Sequence, residues 1–307
     1  MQTDVRGWAA LIGGAVCIGF APIWVRWSEV GPIATAFHRV ALALPLLVLW
    51  AARERSRPAA TRHSNPRRPG WAFAAGAFFA IDMAAWHLSI RYTSVANSTL
   101  LANLAPIFVT LGAWIFLRER VGRRFTAGMI LALLGAWCLT GASLQTDPNR
   151  LRGDLWGLAT ALFYGGYQLC VARLRRDTAA GRVLFWSSLV SAPLLGIIAW
   201  SLGETMLPAS PRGWLVLLGL ALTAQVFGQG LITYGFAHLP ASLSSLVLLL
   251  QPLVATLAAW MLLGERLGIA QLLGGAILLA GIQVARSRPA PPAPSSQFPD
   301  RPLRSPP

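Results

Sequence analysis

Asp82 interrupts the apolar run WAFAAGAFFAIDMAAWHLSI, and a carboxylate inside so apolar a segment has more chemistry to offer than anything around it. An ionised group cut off from water is costly unless it is paired, so such a residue turns toward a bundle interior or a wet cavity. Trp86 follows four residues later on the same helical face, an apolar wall beside a carboxylate able to meet an ammonium. His87 points elsewhere, roughly 140° round from Asp82 by helix geometry. Asn103 stands eight residues into the next apolar run, and Asp82 eight residues from the end of its own. Both therefore sit about 12 Å deep at 1.5 Å per residue, where they can share one cavity.

Tyr164, Tyr167 and Gln168, then Gln225 and Gln229, then Gln251 fall at middle depth in later apolar runs. With Asp82, Trp86 and Asn103 they make a candidate lining for the path of a polar solute. The competing reading of the uncharged members is structural, as bonds between helices worth about 0.6–2 kcal/mol each. His38 and Arg39 lie too deep in their own run for easy snorkelling to the surface. Arg39 needs a partner, either Asp82 or a helix C-terminus, and that couple either locks the first half or opens in a working cycle. His38 is a candidate proton relay. Pro106 and Pro252 each remove a backbone donor in mid-run and are candidate hinges, the alternative being static kinks.

Catalytic signatures are missing: the chain has no HExxH, no GxSxG, no phosphate-binding loop and no acidic pair inside its apolar runs. Cys17, Cys138 and Cys170 are far apart, each inside an apolar segment, without metal-ligand spacing. No enzyme activity, cofactor or metal is expected.

The elements that must position these residues are transmembrane helices. The sequence is 55% hydrophobic and only 12% charged, against about a quarter charged in a soluble domain. A net charge of +15 arises from 26 arginines and no lysine, scattered over short connections, so a nucleic-acid partner is excluded and the arginine bias reads as genomic composition. A hydrocarbon core about 30 Å thick needs about 20 apolar residues in helix. Ten segments qualify: 7–25, 32–52, 71–90, 95–117, 125–144, 153–172, 183–202, 213–236, 241–263 and 267–285. After Arg286 the chain is proline-rich and polar and reads as a disordered tail.

Arginines accumulate where connections stay cytoplasmic. The connection after the second segment holds Arg53, Arg55, Arg57, Arg62, Arg67 and Arg68; that after the fourth, Arg118, Arg120, Arg123 and Arg124; that after the sixth, Arg173, Arg175, Arg176 and Arg182. Both termini are therefore expected in the cytoplasm. The connection after the eighth has no arginine and gives no vote.

Sliding the chain on itself by 146 residues lays the stretch starting at Tyr92 over that starting at His238, with about a third of positions identical. Pro106 meets Pro252, Trp114 meets Trp260, and Glu119-Arg120 meets Glu265-Arg266. Gly122, Gly128 and Gly135 meet Gly268, Gly274 and Gly281. Five helices per copy is an odd number, so the second copy enters the membrane from the opposite side, a plan typical of transporters. Arg118, Arg123 and Arg124 become Gly264, Ile269 and Ala270, the loss expected of a connection turned outward. The fold class is thus an all-α integral membrane protein of ten transmembrane helices in two inverted five-helix repeats, 1–144 and 153–285, with a tail 286–307.

LANLAPIFVTLGAWIFLRER and LLLQPLVATLAAWMLLGER also carry a family likeness. Over nearly all of 7–285 the chain resembles the EamA-like members of the drug/metabolite transporter superfamily. That resemblance implies export of amino acids or other small metabolites from the inner membrane, through a central cavity lined from helices 3, 4, 6, 8 and 9, by alternating access. Expected partners are a small-molecule substrate and the lipid bilayer; monomer or homodimer is left open. A receptor or scaffold on a transporter fold is the alternative, and a membrane enzyme a more distant one.

Overall fold

The computed structural model describes residues 4–55, 69–92, 95–140, 150–264 and 267–286, and among these there is no strand. Helical stretches follow one another as α1 (Val5–Trp27), α2 (Pro32–Glu54), α3 (Pro69–Tyr92), α4 (95–117), α5 (Arg123–Thr140), α6 (Arg150–Leu174), α7 (Ala180–Ser201), α8 (Pro211–Gly235), α9 (Ala241–Leu263) and α10 (Ile269–Arg286). Eight of them are long and apolar enough to cross a membrane. The other two are less apolar: α5 is diluted by Arg123 and Arg124, and α6, besides the charges near its ends, by Tyr164, Tyr167 and Gln168 in its middle. The expected end of the fifth helix at 141–144, the arginines between 56 and 68, Glu265 with Arg266, and the tail from 287 lie outside the described residues.

Proline sets where the long helices break, because it lacks the donor that the preceding turn requires. α1 breaks at Phe20 ahead of Pro22, α4 at 103–104 ahead of Pro106, and α9 at 248–249 ahead of Pro252. The two last breaks lie at equivalent places in the sequence repeat. α8 is interrupted differently, widening into π-helical turns over Ala221–Gln229, a feature frequent at functional sites. Equivalent positions also end α4 and α9: Arg118 at φ 58° and Gly264 at φ 69° both take the left-handed conformation that closes a helix C-terminus.

The glycine pattern explains how α5 meets α10. A Cβ on Gly128 would strike the Gly281 carbonyl, and one on Gly281 the Gly128 carbonyl; Gly135 and Gly274 face each other in the same way. Rising numbers pair with falling ones, so the two helices are antiparallel. Only glycine allows backbones this close.

Reciprocal capping joins α2 to α7. Glu204, just past α7, accepts from the Ala34 amide in the first turn of α2 at 2.8 Å. Glu54, at the end of α2, accepts from the amides of Gly181 and Arg182 in the first turn of α7 at 3.1 and 3.2 Å. Each carboxylate satisfies donors that a helix start leaves unpaired. Glu119 does the same for α9, accepting from the Ala241 and Ser242 amides at 2.8 and 3.2 Å. Glu29 accepts from the Ser210 amide at 3.0 Å ahead of α8, and the Ser210 hydroxyl holds its carboxyl below the usual carboxylate range.

The outward faces are apolar. Leu111, Trp114, Ile115 and Phe116 of α4 are exposed, and so are Leu257, Trp260, Met261 and Leu262 at the equivalent places of α9. Such patches would invite association in water and are at home in lipid.

Candidate functional site: a cavity at membrane depth

A cavity of about 210 Å³ lies among α1, α2, α3, α4, α6, α8 and α9. From α3 come Phe79, Asp82, Met83, Trp86 and His87, spaced as one stripe of a helix. His87 therefore faces the cavity, contrary to the sequence expectation. It and Asp82 stand at the two edges of a broad stripe, and the angle of roughly 140° between them is the width of that stripe.

The cavity also gathers Arg39, Asn103, Tyr164, Gln229, Gln251 and Pro252 from the expected set. The breaks ahead of Pro106 and Pro252 matter here, since Asn103 sits at the first and Gln251 in the turn just after the second, and both reach the wall. Pro106, Tyr167, Gln168, Gln225 and His38 are not in the wall. Pro106 is buried at the start of the second part of α4. His38 donates from Nδ1 to the Ala34 carbonyl at 2.8 Å and packs its ring edge-on to Trp214 at 5.7 Å. Tyr167 stacks on Tyr164 with centroids 6.3 Å apart.

Arg39 and Asp82 share the cavity without the expected ion pair. Arg39 instead donates from Nε to the Gln225 Oε1 at 3.2 Å, and its guanidinium lies over the Phe79 ring at 5.7 Å. Gln225 in turn donates to the Ser188 hydroxyl at 3.2 Å. A neutral amide on the widened part of α8 thus holds the cation in place and quenches neither charge.

Several wall residues present polar atoms with no hydrogen-bond partner among the described residues: Asp82 Oδ2, His87 Nε2, Asn103 Nδ2 and Gln229 Oε1. His87 donates from Nδ1 to the Met83 carbonyl at 2.7 Å, so its neutral ring offers Nε2 as an acceptor. The wall therefore holds acceptors near Asp82, a donor on Asn103 and the Arg39 cation, with Trp86, Phe79 and Tyr164 as apolar surface. Sequence reading missed His87, Phe79 and Pro22. The stripe spacing from Phe79 to His87 was the available signal.

A second, smaller polar pocket of about 170 Å³ includes Leu117, Glu119, Arg175, Arg176 and Ala241, where α4 and α6 end and α9 begins. Arg175 donates from Nε to the Thr233 carbonyl at 3.0 Å and from Nη1 to the Thr178 carbonyl. Burial pulls its guanidinium below the ordinary arginine range. Arg176 donates to the Leu117 carbonyl at 3.4 Å.

An all-helical bundle that turns its largest apolar side chains outward and keeps charged and amide groups around an inner cavity is built as a multi-pass membrane protein. The model of the EamA-like transporter family matches residues 5–141 and again 151–286, and the chain belongs to that family. It is 24% identical over 280 residues to an uncharacterized transporter of Archaeoglobus fulgidus, covering 91% of this chain and 96% of that one. It is 27% identical over 209 residues to a probable amino-acid metabolite efflux pump of Salmonella typhimurium, covering 64% and 69%. A solved crystal structure shares the fold with a TM-score of 0.75 at 18% identity, covering 93% of this chain and 96% of that one.

Proposed function

We propose that the chain exports small polar metabolites bearing both an amino and a carboxyl group, amino acids or close relatives, across the inner membrane by alternating access. The observation that carries this reading is the presence of an acidic and a basic side chain in one cavity, Asp82 and Arg39, with Arg39 bonded to Gln225. A substrate ammonium meets Asp82 with the His87 and Gln229 acceptors at hand, and a substrate carboxylate meets Arg39. A zwitterion satisfies both charges at once, which neither a plain cation nor a plain anion does. Supporting the export reading is the Salmonella relative's description as an efflux pump.

In this reading all ten helices span the bilayer as two inverted five-helix repeats, with both termini cytoplasmic and Pro106 and Pro252 as matched hinges. The antiparallel α5–α10 glycine contact supports inversion, because a shift of 146 residues exchanges its Gly128–Gly281 pair for Gly274–Gly135. The reciprocal Glu54 and Glu204 caps support it at the helix ends. The test is uptake of a panel of radiolabelled amino acids into proteoliposomes, each beside its N-acetyl and amide derivatives. Transport of at least one zwitterion, with loss on blocking either end, is expected. Equal transport of blocked and free forms would remove the two-charge site.

A further inference from the structure

Resting on that reading, we infer that the sealed half of the pathway runs through Tyr167, Gln168, Thr233 and Ser245 to the pocket at Arg175, and that these side chains line a second cavity when the first one closes.

Burial without bonding is the first observation. Gln168 is 1% exposed and neither atom of its amide has a hydrogen-bond partner among the described residues; Ser245 Oγ is equally unpartnered, at 1% exposure. Polar groups kept as structural glue are bonded. The neighbouring core hydroxyls of Ser187 and Ser191 behave that way, donating to the Leu184 and Ser188 carbonyls at 3.1 and 3.5 Å. An amide left wholly unbonded in the core makes sense if another arrangement gives it water or a solute.

Continuity is the second observation. Tyr164 belongs to the cavity wall, Tyr167 stacks beneath it, and the Tyr167 hydroxyl faces Thr233. The Thr233 carbonyl accepts from Arg175, which lines the second pocket. Gln168 lies one turn beyond Tyr164 on α6, and Thr233 one turn beyond Gln229 on α8, so each helix carries its polar face one turn past the cavity toward the pocket; Val171 and Ala172 on α6 and Phe236 and Ala237 on α8 fill the last turn. Ser245 sits in the first turns of α9, which pack on α6.

The seal is the third. Arg176 holds the α4 end through the Leu117 carbonyl, and Arg175 holds α8 through the Thr233 carbonyl. Both bonds run from a cation to backbone near a helix C-terminus, where the partial charge favours them. They tie three helix ends together at the closed mouth, and opening that mouth requires breaking them.

The test needs no known substrate. In full-length protein with Cys17, Cys138 and Cys170 replaced by alanine, Ser245→Cys, Thr233→Cys and Asn103→Cys are labelled with a membrane-impermeant maleimide in right-side-out and inside-out vesicles. Labelling of Ser245→Cys and Thr233→Cys from the face bearing Arg175, and of Asn103→Cys from the opposite face, is expected. Adding Arg175→Gln should raise labelling at Ser245→Cys several-fold and lower it at Asn103→Cys. If Ser245→Cys and Thr233→Cys stay unreactive from both faces while Asn103→Cys reacts, or if all three react from one face, the second cavity does not exist and the export reading is untouched. An Asn103→Cys that reacts from neither face would instead remove the first cavity, and with it the proposed function and this inference together.

Discussion

Each charge in the cavity is an energetic burden until something meets it, and this makes Asp82 the most informative single position. Asp82→Asn keeps shape and removes charge. Losing a charge-assisted bond to an ammonium costs about 1.5–3 kcal/mol, so the half-saturating concentration of a zwitterion should rise about tenfold to a hundredfold. The melting temperature in detergent should hold or rise, because an unpartnered buried carboxylate has been removed. A fall in melting temperature with unchanged transport would mark Asp82 as a structural residue instead. Asp82 was legible in the sequence because a carboxylate in an apolar run is too costly to be kept without a role. Its relation to Arg39 was not, since attraction between opposite charges is the default expectation and the group that bonds Arg39, Gln225, lies 186 residues away in the π-helical turns of α8. His87 escapes a reading from the angle to Asp82 alone, because only Phe79, Met83 and Trp86 together show how wide the stripe is.

Helices were the most legible elements. Where the described residues run past a helix end, that end lies within three residues of the expected segment, because length and apolarity decide a span. Matched prolines announced the breaks in α4 and α9, and matched glycines announced close packing without naming the partner. The structure supplies it: Gly128 with Gly281, and Gly135 with Gly274. Gly281→Leu should therefore force α5 and α10 apart and destabilise the protein by about 1–3 kcal/mol, read as a lower melting temperature in detergent. Gly128→Leu should do the same, and the double variant should cost less than the two single effects added, because both act on one contact. Strict additivity would mean that the helices do not meet there. Carboxylate caps left no sequence signal, since Glu54 and Glu204 read as ordinary charges at helix ends. What distinguishes them is a partner helix start more than a hundred residues away, seen in the Glu204–Ala34 and Glu54–Gly181 bonds.

At the scale of the whole molecule, orientation rested on arginine counts, which leave the α8–α9 connection undecided because it carries none. Packing groups that connection with others. Glu119 of the arginine-rich α4–α5 connection bonds the start of α9, and His238 beside it lies 3.9 Å from Asp4 at the chain's start. Arg286 at the end of α10 stacks over Trp8 at 4.8 Å. One end of the bundle thus collects the start of α1 and the end of α10 with the α4–α5 and α8–α9 connections. The Glu29–Ser210 and Glu204–Ala34 bonds belong to the other end, toward which the cavity residues of α2, α3 and α4 lie. In the orientation proposed above, with retained positive charge keeping the first end inside, the cavity faces out and the Arg175 end faces in. Alkaline phosphatase, active only outside, should therefore be silent when fused at 121 or 239 and active when fused at 30, 203 or 268; a fluorescent protein that matures only inside should report the reverse. Silence at both 121 and 268 would put equivalent connections of the two copies on one face. Inversion would then be lost, and a cavity formed between opposed halves with it.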